Sequence, residues 1–297
     1  MNRLIKTIVA LAAIFTALVP SFAKKQATHK VITANVRITG LEADEVPGLR
    51  WDDRKEICKN VILAGKPDLI CLQEVIYDSW NYFKKEFKGY QGFGFEGPEM
   101  DPWTEGYHFI GKNCIFYKKS RYEFVSAGSY WLSEDPVIAG SISWNSARAR
   151  HCNWLRLRDK KTGEEFRVIS IHLDHISDEA RQEQTKFFIK EAAQYQEDFP
   201  QILCGDFNSG RKNLPYQDLR AAGWIETWEQ VHGEIEYGFT AHGFKADTKK
   251  KPGRRIDFIF TKGPVETLSS EVITDHPKGI YPSDHYFLIS EVKFTNK

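Results

Sequence analysis

Carboxylates, imidazoles and an amide recur in this chain where apolar runs end. Glu74 closes the run Asp68-Leu69-Ile70-Cys71-Leu72-Gln73. His172 and Asp174 end Val168-Ile169-Ser170-Ile171, and Asp206 and Asn208 follow Ile202-Leu203-Cys204-Gly205. Asp257 sits in Arg254-Arg255-Ile256-Asp257-Phe258-Ile259-Phe260, and Asp284 and His285 open the last apolar run. Such groups can ligate a hard cation through oxygen, accept a proton from water, or donate hydrogen bonds to an anion. Residues i and i+2 of a strand share a face. Extended backbone would therefore pair His172 with Asp174, and Asp206 with Asn208. Each motif alone is ordinary, because a carboxylate at a strand end is usually a solvated cap. Their joint occurrence is the signal.

The elements that must position them read as alternating strands and helices. Strand-like runs fall at 30–38, 68–72, 114–117, 153–157, 166–173, 201–204, 256–260 and 286–294. Helical spacing appears at 52–64, 178–196 and, more weakly, 215–222. Ser177 fits an N-cap for the second of these, with Asp178 and Glu179 in its first turn. The mixture predicts one α/β layered domain. Residues 93–111 read as a long loop, and Phe93, Phe95, Trp103, Tyr107 and Phe109 predict an aromatic rim on it.

Residues 1–23 read as an export leader. Arg3 and Lys6 precede the apolar run Ile8 to Val19, and Ser21-Phe22-Ala23 supplies small residues for cleavage. The expected mature domain is 24–297, secreted or periplasmic, with no stable membrane insertion. Without Arg3 and Lys6 the chain carries 39 basic and 40 acidic residues, a net charge of −1 with neutral histidines. That excludes a broad positive surface for nucleic acid, although not a local basic groove. Cys58, Cys71, Cys114, Cys152 and Cys204 are odd in number and lie mostly inside apolar runs. They read as small buried hydrophobes, and the absence of a Cys-x-x-Cys pair argues against a thiolate zinc site.

The ordered set resembles the endonuclease/exonuclease/phosphatase superfamily. The resemblance rests on Thr33-Ala34-Asn35-Val36, Leu72-Gln73-Glu74, Ile171-His172-Leu173-Asp174-His175, Gly205-Asp206-Phe207-Asn208, Arg255-Ile256-Asp257-Phe258-Ile259-Phe260 and Ser283-Asp284-His285. Ile115-Phe116-Tyr117-Lys118, Trp131-Leu132-Ser133-Glu134, Arg150 with Trp154, and Tyr281-Pro282 are similar to exported bacterial members whose substrates are unassigned. The family implies a DNase I-like four-layer α/β sandwich. Two mixed β-sheets would lie face to face, flanked by helices, with the site at one edge.

The resemblance also implies metal-dependent hydrolysis of a phosphoric ester. Glu74 is the expected Mg²⁺ ligand, with Mn²⁺ as the alternative ion, and Asn35 and Asp284 would complete or support the shell. Asp206 would act as base, with Asn208 aligning water or a phosphoryl oxygen. His285, held by Asp257, and His172 would stabilise phosphoryl charge, and Arg150 would lie near the substrate. Several nucleases of the family carry Asp two residues after the position of Asn35, where this chain has Arg37. Many exported relatives place Glu near Gly111-Lys112-Asn113. Lys112 reads as an exposed lysine at a strand start, with contact to a substrate anion as the alternative.

Competing readings fare worse. A metallo-β-lactamase pattern requires a further His where residue 170 is Ser. The inositol 5-phosphatase segment Trp-Cys-Asp-Arg is replaced by Arg255-Ile256-Asp257-Phe258, and no apolar hairpin suggests a toxin-type sphingomyelinase. The near-neutral charge favours a small phosphodiester or phosphomonoester over nucleic acid, with a secreted nuclease as runner-up. A non-catalytic binding module would ordinarily have lost one of the core residues. The sequence names no protein partner.

Overall fold

The computed structural model describes residues 27–94, 96, 110–235, 238–245 and 254–295. The expected leader lies outside these residues, as do Phe95, Trp103, Tyr107 and Phe109 of the expected aromatic rim.

The first sheet contains β1 (Thr28–Asn35), β2 (Leu69–Gln73), β3 (Tyr90–Phe93), β4 (Ile115–Lys118), β11 (Val265–Ile273) and β12 (Phe287–Phe294). Its spatial order is β11-β12-β1-β2-β4-β3. The second contains β5 (Tyr122–Trp131), β6 (His151–Asp159), β7 (Glu165–His172), β8 (Gln201–Asp206), β9 (Ile225–Glu226) and β10 (Asp257–Lys262). Its order is β5-β6-β7-β8-β10-β9. Each sheet has one parallel pair, β1 with β2 and β7 with β8, and the other pairings are antiparallel. Helices α1 (Trp51–Ala64) and α3 (Asp178–Ala192) make the two parallel crossovers. Helices α2 (Tyr77–Glu86), α4 (Leu214–Ala221) and α5 (Thr227–His232) complete the set.

The central strands are apolar on both faces because both faces are covered. Val31, Leu69, Cys71, Val168, Ile202, Cys204 and Ile259 point between the sheets. Their neighbours Ile32, Ile70 and Leu72 point out against Val61, Ile62, Trp80 and Phe83 of α1 and α2. Ile169, Leu203, Phe258 and Phe260 do the same against Phe188 and Leu219 of α3 and α4. This is the four-layer DNase I-like sandwich that the resemblance implies. All five cysteines are buried and unpaired.

Some expectations need correction. Phe93 belongs to β3 and packs on the core between the sheets, rather than standing on a rim. Lys112 is buried, not exposed. Among the described residues no helix is long and apolar enough to cross a membrane.

Candidate active site

The sheets bring their polar strand ends to one edge. Asn35 is the last residue of β1, and Glu74 follows the last residue of β2 beside it. In the second sheet His172 of β7 and Asp257 of β10 flank Asp206 of β8 in register. Asp284 and His285 precede β12, which runs antiparallel to β1 and so starts at the same edge. Glu74, His172, Asp206, Asp284 and His285 line a cleft of about 310 Å³, together with Arg37, Gly111, Arg148, Arg150, His175, Asn208 and Arg254, while Asn35 and Asp257 stand behind its wall.

The chain turns sharply as it leaves the strands. Arg37, Glu74 and Asn208 all have positive φ, at 60°, 63° and 48°. Non-glycine residues rarely take this conformation, and it is commonest where a site over-determines the backbone. The turn at Asn208 is closed by its own N–H, which donates to Asp206 at 2.8 Å. Asp206 and Asn208 are therefore not successive residues on one extended face. Asp174 also departs from the expected pairing. It is buried and accepts from Ser146, Ala147, Ile176 and Ser177, which ties down the loop after β7. Gly111 is needed for space, because a Cβ there would come within 2.8 Å of the Glu74 Cα.

Asp206 is the hub. Its carboxylate accepts from the Asn35 amide at 3.0 Å, and His172 Nε2 lies 3.4 Å and His285 Nε2 4.0 Å away. Burial and then the neighbouring Asp257 charge raise its pKa to about 7, while His285, the Asn208 N–H and Asn35 oppose the rise. His285 Nδ1 donates to Asp257 at 2.8 Å. Burial alone would lower the pKa of His285, but the Asp257 charge and hydrogen bond, with Asp284 and Asp206, raise it well above the usual value. His285 is thus held as an imidazolium. His172 is the opposite case, because burial and then Arg150 keep its pKa well below the usual value. Its Nε2 lies 2.9 Å from the Asn208 amide nitrogen, which assigns the ring hydrogen to Nδ1, and Nδ1 is buried with no partner.

Glu74 accepts from the Asn35 amide at 3.0 Å and from the Ile38 N–H at 2.7 Å. The Asn35 oxygen is occupied by the Arg37 N–H at 2.9 Å, so Asn35 presents its nitrogen to both carboxylates. Asp284 accepts from Arg37 at 3.1 Å, and Arg37 also forks onto Asp44. Atoms of Glu74, His172 and Asp206 lie within 4.8 Å of one another. Two carboxylates at the floor of an open cleft form the oxygen-rich set that a hard divalent cation prefers, with room for its waters. The residues fit such an ion. A second close group, Asp206, Asp257 and His285, is accounted for by the ion pair of His285 with Asp257.

Arg150 is buried at the cleft, not a surface residue. Its Nη2 lies 3.2 Å from His175 Nδ1, its Nε has no partner, and among the described residues no carboxylate lies within 4 Å. Burial disfavours its charge, while Asp174, Asp206 and Glu74 favour it from farther away.

Sequence reasoning missed the supports. Arg54 of α1 is buried and donates to the carbonyls of Val36, Arg37, Leu49 and Pro282, so one guanidinium fixes the loops carrying Arg37 and Asp284. A signal was available: Arg54 stands at helical spacing from the buried Cys58 and Val61. Gln73 bridges the sheets beneath the site, accepting from Thr33 of β1 and donating to Ser170 of β7 at 3.0 Å.

Human nocturnin is similar to the chain at 24% identity over 278 residues, 85% of this chain and 60% of nocturnin. The CCR4-Not complex 3'-5'-exoribonuclease subunit Ccr4 of Debaryomyces hansenii is 23% identical over 300 residues, 82% of this chain and 35% of that protein. The chain thus spans less than two thirds of the length of these relatives. The structure of a mannosyl-6-phosphatase from Bacteroides thetaiotaomicron is similar at 25% identity and a TM-score of 0.79, covering 90% of this chain and all of that one. The model described as the Endonuclease/Exonuclease/phosphatase family matches residues 32–285. With that match across both sheets and the edge they share, the chain belongs to the endonuclease/exonuclease/phosphatase family.

Proposed function

We propose that the protein is an exported, divalent-metal-dependent hydrolase of small phosphoric esters. The observation that carries this reading is the surroundings of Asp206. A buried carboxylate, held by Asn35 and the Asn208 N–H, faces the His285 imidazolium across one cleft.

The roles follow from these positions. Asp206 accepts the proton of the attacking water, and Asn208 aligns that water or a phosphoryl oxygen. His285, oriented and charged by Asp257, donates to the phosphoryl oxygen that gains charge. His172 keeps its Nδ1 buried and supports the site through Nε2, which holds the Asn208 amide beside Asp206. Arg150, buried without an acidic partner, pairs with the phosphoryl oxyanion. Glu74 holds the cation, Mg²⁺ or Mn²⁺, with Asn35 and Asp284 supporting it. When bound, the ion neutralises phosphoryl charge and orients the ester as a Lewis acid. The likeness to a mannosyl-6-phosphatase favours a phosphomonoester on a sugar-sized body.

The test is turnover of p-nitrophenyl phosphate and bis(p-nitrophenyl) phosphate, with Mg²⁺ or Mn²⁺ and again with EDTA. Hydrolysis abolished by EDTA supports the reading, and no hydrolysis of either ester overturns it. The export reading predicts that residues 1–23 are absent from the recovered protein, which intact mass decides.

The likeness to an exoribonuclease subunit favours a second reading, hydrolysis of polynucleotide ends. Inhibition by micromolar DNA or RNA that weakens steeply between about 50 and 200 mM salt would promote it.

A further inference from the structure

A second groove opens beside the catalytic cleft. Asn208, Arg254 and Ile256 line both, so the two are continuous. The second is lined by Arg181, Arg211, Lys212, Arg254 and Arg255 and, among the described residues, by no acidic one.

Three of these cations are already compensated from behind. Arg181 pairs with Asp178, Arg211 with Glu226 and Glu229, and Arg255 with Glu226. They are fixed parts of the wall. Lys212 and Arg254 are exposed and have no acidic partner among the described residues. Lys212 stands four positions after Asn208, on the turn between β8 and α4. That turn is closed by reciprocal hydrogen bonds between Gly210 and Asn213, at 2.9 Å and 3.0 Å. The backbone of Lys212 is therefore fixed next to the catalytic motif, and its side chain reaches the groove from there. Two cations in a concave wall without an acid among the described residues attract an anion more strongly than the same charges on a convex surface.

We propose that this groove is a second anion subsite, and that the preferred substrate is a small organic molecule carrying two phosphate groups. One phosphoester enters the catalytic cleft. The other binds Lys212 and Arg254. This rests on the reading of the cleft as a phosphoesterase site. The groove is short and continuous with the catalytic cleft, which suits two phosphates on one small body rather than a long polyanion.

The experiment compares glucose 6-phosphate with glucose 1,6-bisphosphate as substrates of the full chain and its Lys212→Glu variant. Wild-type protein should show a kcat/KM for the bisphosphate at least about tenfold higher, the scale of one additional charge-assisted contact. In Lys212→Glu that preference should fall by at least about tenfold, carried by KM rather than kcat. Equal use of the two esters by wild type, or an unchanged preference in the variant, overturns the subsite. Failure to hydrolyse p-nitrophenyl phosphate as well would instead sink the phosphoesterase reading. Calorimetric titration with glucose 1,6-bisphosphate, with and without K212E, then still reads the subsite. Tenfold weaker binding to the variant supports it, and equal binding overturns it. A ten-nucleotide single strand that outcompetes the bisphosphate, with a steep loss on added salt, would overturn it in favour of a polynucleotide track.

Discussion

Asn35 and Asp206 lie 171 positions apart in the chain, and the amide of the first donates to the carboxylate of the second at 3.0 Å. The bond runs between the two sheets. It places the Asp206 carboxylate at the end of β8 beside the Glu74 carboxylate that follows β2.

Asp206→Asn keeps the shape of the hub and removes its proton acceptor. Turnover should fall by at least about 10²-fold, the low end for general-base catalysis, with KM little changed. Steady-state kinetics on p-nitrophenyl phosphate measures this. A fall below about tenfold would leave Asp206 as a supporting group.

Glu74→Gln preserves an oxygen that can accept from the Ile38 N–H but removes the charge. Mn²⁺ affinity by calorimetry should weaken by about tenfold or more, since charge count dominates affinity at oxygen sites. The melting temperature should move little. Unchanged Mn²⁺ binding would place the ion elsewhere.

Arg150→Met tests whether the buried guanidinium is held for the substrate rather than for the fold. The apolar replacement removes a charge that burial disfavours. The melting temperature should stay within a few degrees, because about 1 kcal/mol shifts a domain of this size by only a few degrees. The value of kcat/KM should drop by about 10²-fold or more, as when one donor to a reacting oxyanion is lost. A large loss of stability with near-normal kinetics would make Arg150 structural.

Acid should destabilise the fold through His29. This ring is buried among Tyr122, Phe166 and Phe294, and burial and then the Arg121 charge lower its pKa to about 3, against the pull of Asp159 and Asp68. The unfolded chain takes up a proton below its ordinary value of 6.5 and the folded chain does not. Stability from this group is therefore full above pH 6.5 and declines towards about 3, by at most about 5 kcal/mol. Urea unfolding across that window should show His29→Gln with a slope smaller by about one proton. An unchanged slope would refute the assignment.

The motifs of the cleft were legible because strand ends leave a compositional edge: apolar residues stop and a carboxylate or imidazole follows. The helix 178–196 was legible from its Ser177 cap and spacing, although it ends at Ala192. Edge strands were not. β5 is mostly half-buried, and Ser126-Ala127-Gly128-Ser129 carries no alternation to read. β11 escaped for the same reason, since its polar residues blur the period, whereas α2 does carry a helical stripe, with Ile76, Trp80, Phe83 and Phe87 buried at helical spacing. The face-sharing rule failed at Asn208 because it assumes extended backbone, and a left-handed residue ends the strand there. Arg37 looked like a lost carboxylate. Its role is electrostatic, joining Asp44 and Asp284, and the partner Asp44 sits in a turn that no periodicity marks.

The strand order has a temporal consequence. β12 lies between β11 and β1, so among the described residues the strand made last completes the sheet begun by the strand made first. Asp284 and His285 stand immediately before that strand. A nascent chain that stops short of β12 therefore leaves β1 unpaired on one side, and its imidazolium has no anchored position opposite Asp206. Synthesis through β12 is therefore needed before His285 can stand opposite Asp206, and a fragment ending before Phe287 would carry most of the fold without the assembled cleft.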